Sequence, residues 1–335
     1  MTSEGERGNP DLFTALLYLI SCIYGGLMDL RALFHRKGVL KCRALPCAVI
    51  SVGNITAGGT GKTPMTICLA KLLNSLGHKV VVISRGYGGT KEAGGGVVSS
   101  GQKIAMDAKA AGDEPYMMAV KLHGVPVLVG KGRFKLGTLA VKRFDAKIVI
   151  LDDGFQHIQL KRNLDILLLD AKQPFGNGYL LPRGMLRESL RQLERADAFV
   201  LTRSQSILPG SGQHVIDTLK GKGPVFQCAH IPEVVTRIPG DNWLPGNLRE
   251  IKDRLDPAFL KGRKVFAFSG IAKNENFLEM IQRLGCKIRG FLAFSDHHKY
   301  TDEDFKTILQ AAKRAGVDAL LSFTTFYEIV NYDKY

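Results

Sequence analysis

The residues best suited to chemistry stand in one stretch, Thr56-Ala57-Gly58-Gly59-Thr60-Gly61-Lys62-Thr63-Pro64. Closely spaced glycines let backbone N–H groups converge on anionic oxygens. A lysine at the end of such a loop reaches the outer phosphates of a nucleotide, and the hydroxyl of Thr63 is placed to hold magnesium. A second set is the carboxylate pair Asp152-Asp153, which closes the apolar run Lys147-Ile-Val-Ile-Leu151. Two adjacent acids at the carboxyl end of a strand are costly unless a cation neutralises them, and opposite a phosphate loop they would hold magnesium and its waters. Arg85, in Arg85-Gly-Tyr87-Gly, could meet a phosphate, although the glycines alone fit a plain turn equally well. Asp113 begins a helix together with Glu114, where the helix dipole favours acids, so a capping role is open to it.

These residues need elements to position them. Ala48 to Val52 reads as a buried strand, and Met65 to Leu76 carries apolar residues at helical spacing before Gly77 stops it. Strand, glycine loop and helix thus follow in the order a phosphate loop requires. The consensus places glycine six residues before the lysine, where this chain has Thr56, so a turn that merely needs positive φ is the other reading. Further apolar runs at 78–84, 125–130, 147–151, 164–170 and 197–202 read as strands alternating with helices. That alternation predicts an α/β fold: a doubly wound, mostly parallel sheet with ligands at the carboxyl ends of its strands. The polar, glycine-rich stretch 92–102 reads as a mobile loop. Residues 181–195, with arginines at 183, 187, 191 and 195, read as a helix presenting a solvated charged face.

Prolines and glycines between 224 and 262 mark a linker, after which strands and helices alternate again over 263–335 as a smaller α/β domain. Thr301 with Asp304 has the form of a capping box for the last helix. His297-His298 stands in the loop before it without metal-ligand spacing. The expected organisation is therefore an N-terminal segment 1–45, a P-loop domain 46–223, a linker 224–262 and a smaller domain 263–335.

Leu12 to Met28 contains no charge, close to the shortest apolar run that crosses a ~30 Å hydrocarbon layer. Acids precede it and no small-residue cleavage site follows, unlike a signal peptide. Arg31, Arg36, Lys37, Lys41 and Arg43 follow with no acid after Asp29, which predicts a membrane-associated helix with the rest of the chain on the cytoplasmic side; a buried core helix is the other reading. The formal net charge of +15 attracts nucleic acid, anionic lipid or phosphorylated substrates. Aromatic residues make up 8% and no nucleic-acid motif occurs, which disfavours the first of these. Six cysteines without paired or zinc-type spacing predict a reduced compartment and no structural metal.

Over nearly its whole length the chain resembles the tetraacyldisaccharide 4'-kinases. The strings that carry this are Val52-Gly-Asn54 leading into Gly58-Gly-Thr-Gly-Lys62-Thr-Pro64, Ser84-Arg-Gly-Tyr-Gly88, Gly112-Asp-Glu-Pro115, Leu151-Asp-Asp-Gly-Phe-Gln-His157, Leu186-Arg-Glu188, Leu201-Thr-Arg203, Phe268-Ser-Gly-Ile271 and Phe294-Ser-Asp-His-His298. The resemblance implies transfer of the γ-phosphoryl group of ATP to the 4'-hydroxyl of a tetraacyl glucosamine disaccharide 1-phosphate in lipid A biosynthesis. It also implies ATP and Mg2+ as cofactors and, as partners, the acylated disaccharide 1-phosphate lipid and the inner-membrane surface, with neither nucleic acid nor an obligate protein partner. The protein would be peripheral or monotopic at the inner membrane, its catalytic domains facing the cytoplasm.

Carried over residue by residue, the resemblance implies ATP binding by Thr56, Ala57, Gly58, Gly59, Thr60, Gly61, Lys62 and Thr63, with Thr63, Asp152 and Asp153 at the metal. Asp113 and His297 would form the catalytic pair, joined by Lys62, and Arg85, Tyr87, Arg133, Gln156, His157, Arg187 and Glu188 would line the site. The chain departs from the family pattern at Ser189, where proline is usual, and at Thr325-Phe-Tyr-Glu328, where Thr-Glu-Lys-Asp is usual. A membrane-associated regulatory ATPase is the alternative function; the loop resembles that of partition ATPases except for the second lysine those carry where Ala57 stands here.

Overall fold

The run Ala48-Val-Ile-Ser-Val-Gly53 forms β1 (Ala48–Gly53), and every strand that flanks it on either side in the sheet runs parallel to it. The computed structural model describes residues 12–204, 213–229, 235–237, 254–271, 274–295, 298, 300–324 and 327–331. The chain divides into two compact units, Met1–Ala229 and His230–Tyr335.

The first unit holds β2 (Val80–Ser84), β3 (Gly96–Ser99), β4 (Val127–Val129), β5 (Ile148–Asp152), β6 (Leu164–Asp170), β7 (Ala198–Thr202) and β8 (Val225–Cys228), in the order β3-β4-β2-β5-β1-β6-β7-β8. All neighbours pair in parallel except β3, which runs antiparallel to β4 at the edge. The helices are α1 (Leu12–Arg36), α2 (Lys62–Ser75), α3 (Ala108–Ala111), α4 (Asp113–Lys121), α5 (Arg133–Phe144) and α6 (Gln213–Leu219). Val80 and Val82 pack with α2 and α4 on one face, while Val81 and Ile83 pack with α5 on the other. Strands buried on both faces read as unbroken apolar runs, which is why the doubly wound sheet was visible in the sequence.

Three local expectations change. Val97 and Val98 in the glycine-rich stretch join the sheet as β3, because β-branched residues fit a half-buried edge. Residues 181–195 are mostly turns with a 3₁₀ helix at Leu190–Arg195; Pro182 and Gly184 interrupt the helical run. Within the stretch read as linker, β8 pairs with β7 in the first sheet, and residues 235–236 pair with 254–255 in the second.

Helix α1 is long and apolar enough to cross a membrane by length and composition. Leu12, Phe13, Leu16, Leu19, Ile23 and Leu27 are exposed, so it is not a core helix. Ser21 and Gly25, one turn apart, are its buried positions and face the segment around Leu180.

In the second unit β9 (Val235–Arg237), β10 (Arg254–Leu255), β11 (Lys264–Ser269), β12 (Lys287–Ala293), β13 (Ala319–Thr324) and β14 (Tyr327–Asn331) form a mixed sheet in the order β10-β9-β14-β13-β11-β12. Helices α7 (Asn274–Arg283) and α8 (Asp302–Ala315) cover opposite faces, through Phe277 and Ile281 on one and Ile308 and Ala312 on the other. The capping box exists: Thr301 Oγ1 accepts from the Asp304 N–H at 3.2 Å, and Asp304 Oδ2 accepts from the Thr301 N–H at 2.8 Å.

Candidate active site

Strand β1 delivers the chain to the phosphate loop, and α2 leaves it at Lys62. Gly58 (φ 105°) and Gly61 (φ 85°) adopt left-handed backbone that a side chain would strain. Their glycines are therefore required by the turn as well as by any anion that approaches it, so the two sequence readings coincide at these positions. At Gly59, by contrast, a Cβ would meet open space.

Register places the remaining groups. Val52 lies opposite Asp152 and Ile83 opposite Leu151, so the phosphate loop, Ser84 and the carboxylate pair leave adjacent strands at one level. Asp152 is 1% exposed. Its Oδ1 accepts from Thr66 Oγ1 (3.2 Å) and its Oδ2 from Ser84 Oγ (3.0 Å). Burial pushes its pKa up, and the neighbouring Asp153 charge adds to this while Lys62 opposes. Thr66 and Ser84 were not anticipated. Their signal was positional: Thr66 lies three residues after Thr63 on α2, and Ser84 ends the strand beside β5.

Asp153 has φ 49°, which turns its carboxylate toward two cations. Lys62 Nζ lies 3.7 Å away, and Arg187 Nη1 lies 3.1 and 3.0 Å from its two oxygens. Burial opposes ionisation of Asp153, but Lys62 and then Arg187 outweigh it, so its pKa lies below the ordinary value. Lys62, Asp153 and Arg187 thus meet at the mouth of the loop.

Several bonds lock this geometry. Ala57 N–H donates to Met185 O (2.6 Å) and Arg187 N–H to Ile55 O (2.7 Å), which ties the loop to the segment carrying Arg187 and Glu188. Gln156 Nε2 donates to Asn54 O (2.8 Å), joining the Asp-Gly-Phe-Gln turn to the loop's start. Arg203, at φ 58°, pairs with Asp170 and donates from Nη2 to Gly59 O (2.6 Å). That contact spans 144 residues, which is why no local pattern pointed to it.

Other expected residues occupy distinct environments. Arg133 is buried; it donates to the carbonyls of Gly130 and Asp152 (both 3.1 Å), bracing the end of β5. Burial pushes its pKa down to about 10, and the guanidinium remains charged at neutral pH. His157 is held at about 4 by burial and then by Arg133 and Arg162, so it is neutral. Glu188 is buried against Arg195 Nη2 (2.6 Å), and burial raises its pKa against that pairing. Arg195 also stacks on the fully buried Phe155 ring, 4.3 Å from its centroid.

The arginines of 181–195 therefore do not form one solvated face, since Arg187 and Arg195 are tied to acids. Arg85 is exposed and pairs with Glu92 at 2.8 Å, and Tyr87 is 79% exposed. The turn they share packs on α3 and its junction with α4: Thr90 and Lys91 N–H donate to the carbonyls of Lys109 and Ala110, and a Cβ at Gly112 would lie 3.0 Å from Tyr87 O. Asp113, half-buried, opens α4 there. His297 lies outside the described residues.

Among the described residues no group of three or more His, Cys, Asp or Glu could hold a metal ion. The donors present, the Thr63 hydroxyl and the two carboxylates, are hard oxygens. They suit magnesium shared with nucleotide phosphates, an ion normally bound by one or two carboxylates plus substrate oxygens.

A family model described as tetraacyldisaccharide-1-P 4'-kinase matches residues 13–325. A tetraacyldisaccharide 4'-kinase of Desulfatibacillum aliphaticivorans is 44% identical over 319 residues, covering 95% of this chain and 84% of that protein. One from Halothermothrix orenii is 41% identical over 339 residues, covering 100% and 87%. A crystal structure of LpxK from Aquifex aeolicus in complex with ATP superposes with a TM-score of 0.71 at 32% identity, covering 96% of this chain and 94% of that one.

Proposed function

The chain belongs to the tetraacyldisaccharide 1-phosphate 4'-kinase family, and from that premise we propose how its site residues divide the work. It is an ATP-dependent kinase of lipid A biosynthesis. A regulatory ATPase is not favoured. The observation that supports the site best is the meeting of Lys62, Asp153 and Arg187 beside the glycine loop: two cations held around one carboxylate next to a phosphate cradle.

Thr56 to Thr63 hold the ATP phosphates through backbone N–H groups, and Lys62 stabilises charge on the transferred group. Thr63, Asp152 and Asp153 would hold Mg2+, which supplies charge neutralisation on the phosphates. A sugar hydroxyl is a poor nucleophile at neutral pH, so its proton needs an acceptor as the phosphoryl group transfers; Asp113 takes that role, with His297 as the other catalytic residue that the family resemblance implies. Arg85, Tyr87, Gln156 and Arg187 line the site. Arg133 braces β5, and Glu188 with Arg195 anchors the segment that carries Arg187.

The first unit, Met1–Ala229, holds the kinase site, and the second, His230–Tyr335, is the smaller domain. The protein sits at the cytoplasmic face of the inner membrane with α1 lying in the interface. Support comes from hydrogen bonds along the helix: Tyr24 Oη donates to Arg187 O (2.9 Å), and Asp29 Oδ1 accepts from Ser189 Oγ (2.7 Å) and Gln192 Nε2 (2.8 Å). A helix held sideways to its domain presents an apolar face to lipid.

The test is γ-labelled ATP incubated with disaccharide 1-phosphate lipid in detergent, followed by chromatography of the lipid. Label in the lipid is expected; label found only as free phosphate would refute the assignment.

A further inference from the structure

Between Gly176 and Leu186 the chain forms a turn that joins α1 to the phosphate loop, and at its centre stands Arg183. Its guanidinium lies over the ring of Tyr179, 3.7 Å from the centroid, and over Tyr18 of α1 at 4.8 Å; the two rings meet edge to face at 6.0 Å. The backbone is fixed as firmly as the side chain. Arg183 N–H donates to Ser21 Oγ (3.1 Å), the single proton of that hydroxyl goes to Leu17 O (2.8 Å) or Leu180 O (2.9 Å), and Asn177 Nδ2 donates to Arg183 O (3.2 Å). A Cβ at Gly25 would lie 2.4 Å from Leu180 Cδ1, so glycine there permits this close docking.

Arg183 differs from its neighbours at the site in charge balance. Arg187 is paired with Asp153, Arg85 with Glu92, Arg195 with Glu188 and Arg203 with Asp170. Among the described residues no carboxylate pairs with Arg183. Ring stacking occupies the faces of a guanidinium and leaves its N–H edge, the part that matches phosphate geometry, for an anion.

Its surroundings define which anion. Tyr18 and Tyr179 are 48% and 39% exposed and adjoin the exposed apolar residues of α1, the pattern of side chains at a lipid-water boundary. In the other direction, Met185 is two residues on, a reach of about 7 Å at most, and its carbonyl accepts from Ala57 in the phosphate loop. One end of this turn thus touches the site of transfer and the middle presents a preorganised cation beside an apolar surface.

We infer that Arg183, held between Tyr18 and Tyr179, binds the phosphate already present at the 1-position of the acylated disaccharide while the far sugar is presented to ATP. The inference rests on the kinase reading and deepens it by assigning the substrate's own phosphate to a residue. Anionic phospholipid offers the same chemistry, so the two sources need separate arms.

The experiment measures lipid KM for the full chain and for Arg183→Met, Arg183→Lys and Tyr179→Leu in mixed micelles. It uses the disaccharide lipid with and without its 1-phosphate, at two contents of anionic phospholipid. Charge-assisted hydrogen bonds to phosphate predict that Arg183→Met raises KM for the phosphorylated lipid by about 10-fold or more and for the dephosphorylated lipid by less than about threefold, at both phospholipid contents. Arg183→Lys is expected to recover part of the difference, and Tyr179→Leu to show a smaller rise with the same selectivity. Equal KM rises on both lipids would overturn the inference in favour of a purely structural turn. A rise that depends on anionic phospholipid would overturn it in favour of membrane contact. If the unaltered protein phosphorylates neither lipid, the kinase reading itself falls, a result distinct from loss of selectivity alone.

Discussion

The carboxyl edge of the first sheet and the core of the second unit are built from opposite materials. At the first, Asp152, Asp170 and Glu188 are buried, each satisfied by hydroxyls or an arginine, and the backbone passes through left-handed conformations at Gly58, Gly61, Asp153 and Arg203. In the second, Phe266, Phe268, Phe277 and Leu321 fill the interior, and α8 carries an ordinary capping box with Gly316 at its C-terminal end. Buried charge and strained backbone cost stability and persist where surrounding structure over-determines them. An apolar core beside a capped helix carries no such cost. Sites of chemistry accumulate the former; an apolar interior that only holds its shape can do without them.

The contrast predicts that substitutions in the first region change chemistry out of proportion to stability, and those in the second the reverse. The largest effect is expected from Lys62→Ala. Removing one electrostatic stabiliser of a transition state commonly costs about 10²- to 10³-fold in turnover, measured here as lipid phosphorylation at saturating ATP. Activity within threefold of the unaltered protein would show that the loop has another purpose.

Asp113→Ala and His297→Ala are each expected to lower turnover by ~100-fold with ATP binding nearly intact. The double variant should lose little more, since both changes disable one unit. Losses that multiply would separate the residues, and collapse of ATP affinity in Asp113→Ala would make that carboxylate a nucleotide ligand instead.

In the second unit, Thr301→Ala removes an N-cap and should cost about 1 kcal/mol, read as a lower Tm. No change in unfolding would mean that α8 does not depend on its cap.

The smallest effect at neutral pH concerns His157. Its folded pKa of about 4 lies below the ordinary 6.5, so between those values the unfolded chain binds a proton that the folded chain does not. The stability contributed by a neutral His157 is complete above that window and declines as pH falls through it. His157→Gln should flatten the decline of Tm on acidification; an identical pH profile would contradict the burial argument.

What the sequence disclosed follows the same division. The phosphate loop, the Asp152-Asp153 pair, the parallel strands and the Thr301 capping box are contiguous patterns whose causes lie within a few residues. Residues 181–195 were misread as a solvated helix because the partners that decide the arginines are elsewhere: Asp153 lies 34 residues before Arg187, and Phe155 lies 40 before Arg195. Arg203 and Ser84 were missed as contacts for the same reason, since strand register, not spacing, brings them to Gly59 and Asp152. The adjacent Val97 and Val98 made β3 a strand despite the glycines before it, a case of tertiary pairing overriding local composition.

This site moves the γ-phosphoryl group of ATP onto the hydroxyl of the sugar remote from the existing phosphate. Phosphorus and proton correlation NMR of the purified lipid product reads that bond directly. A second phosphomonoester coupled to the 4' proton is expected, formed by the unaltered protein and at greatly reduced rate by Lys62→Ala. A pyrophosphate at the 1-position, or unchanged lipid with inorganic phosphate as the only product, would contradict it.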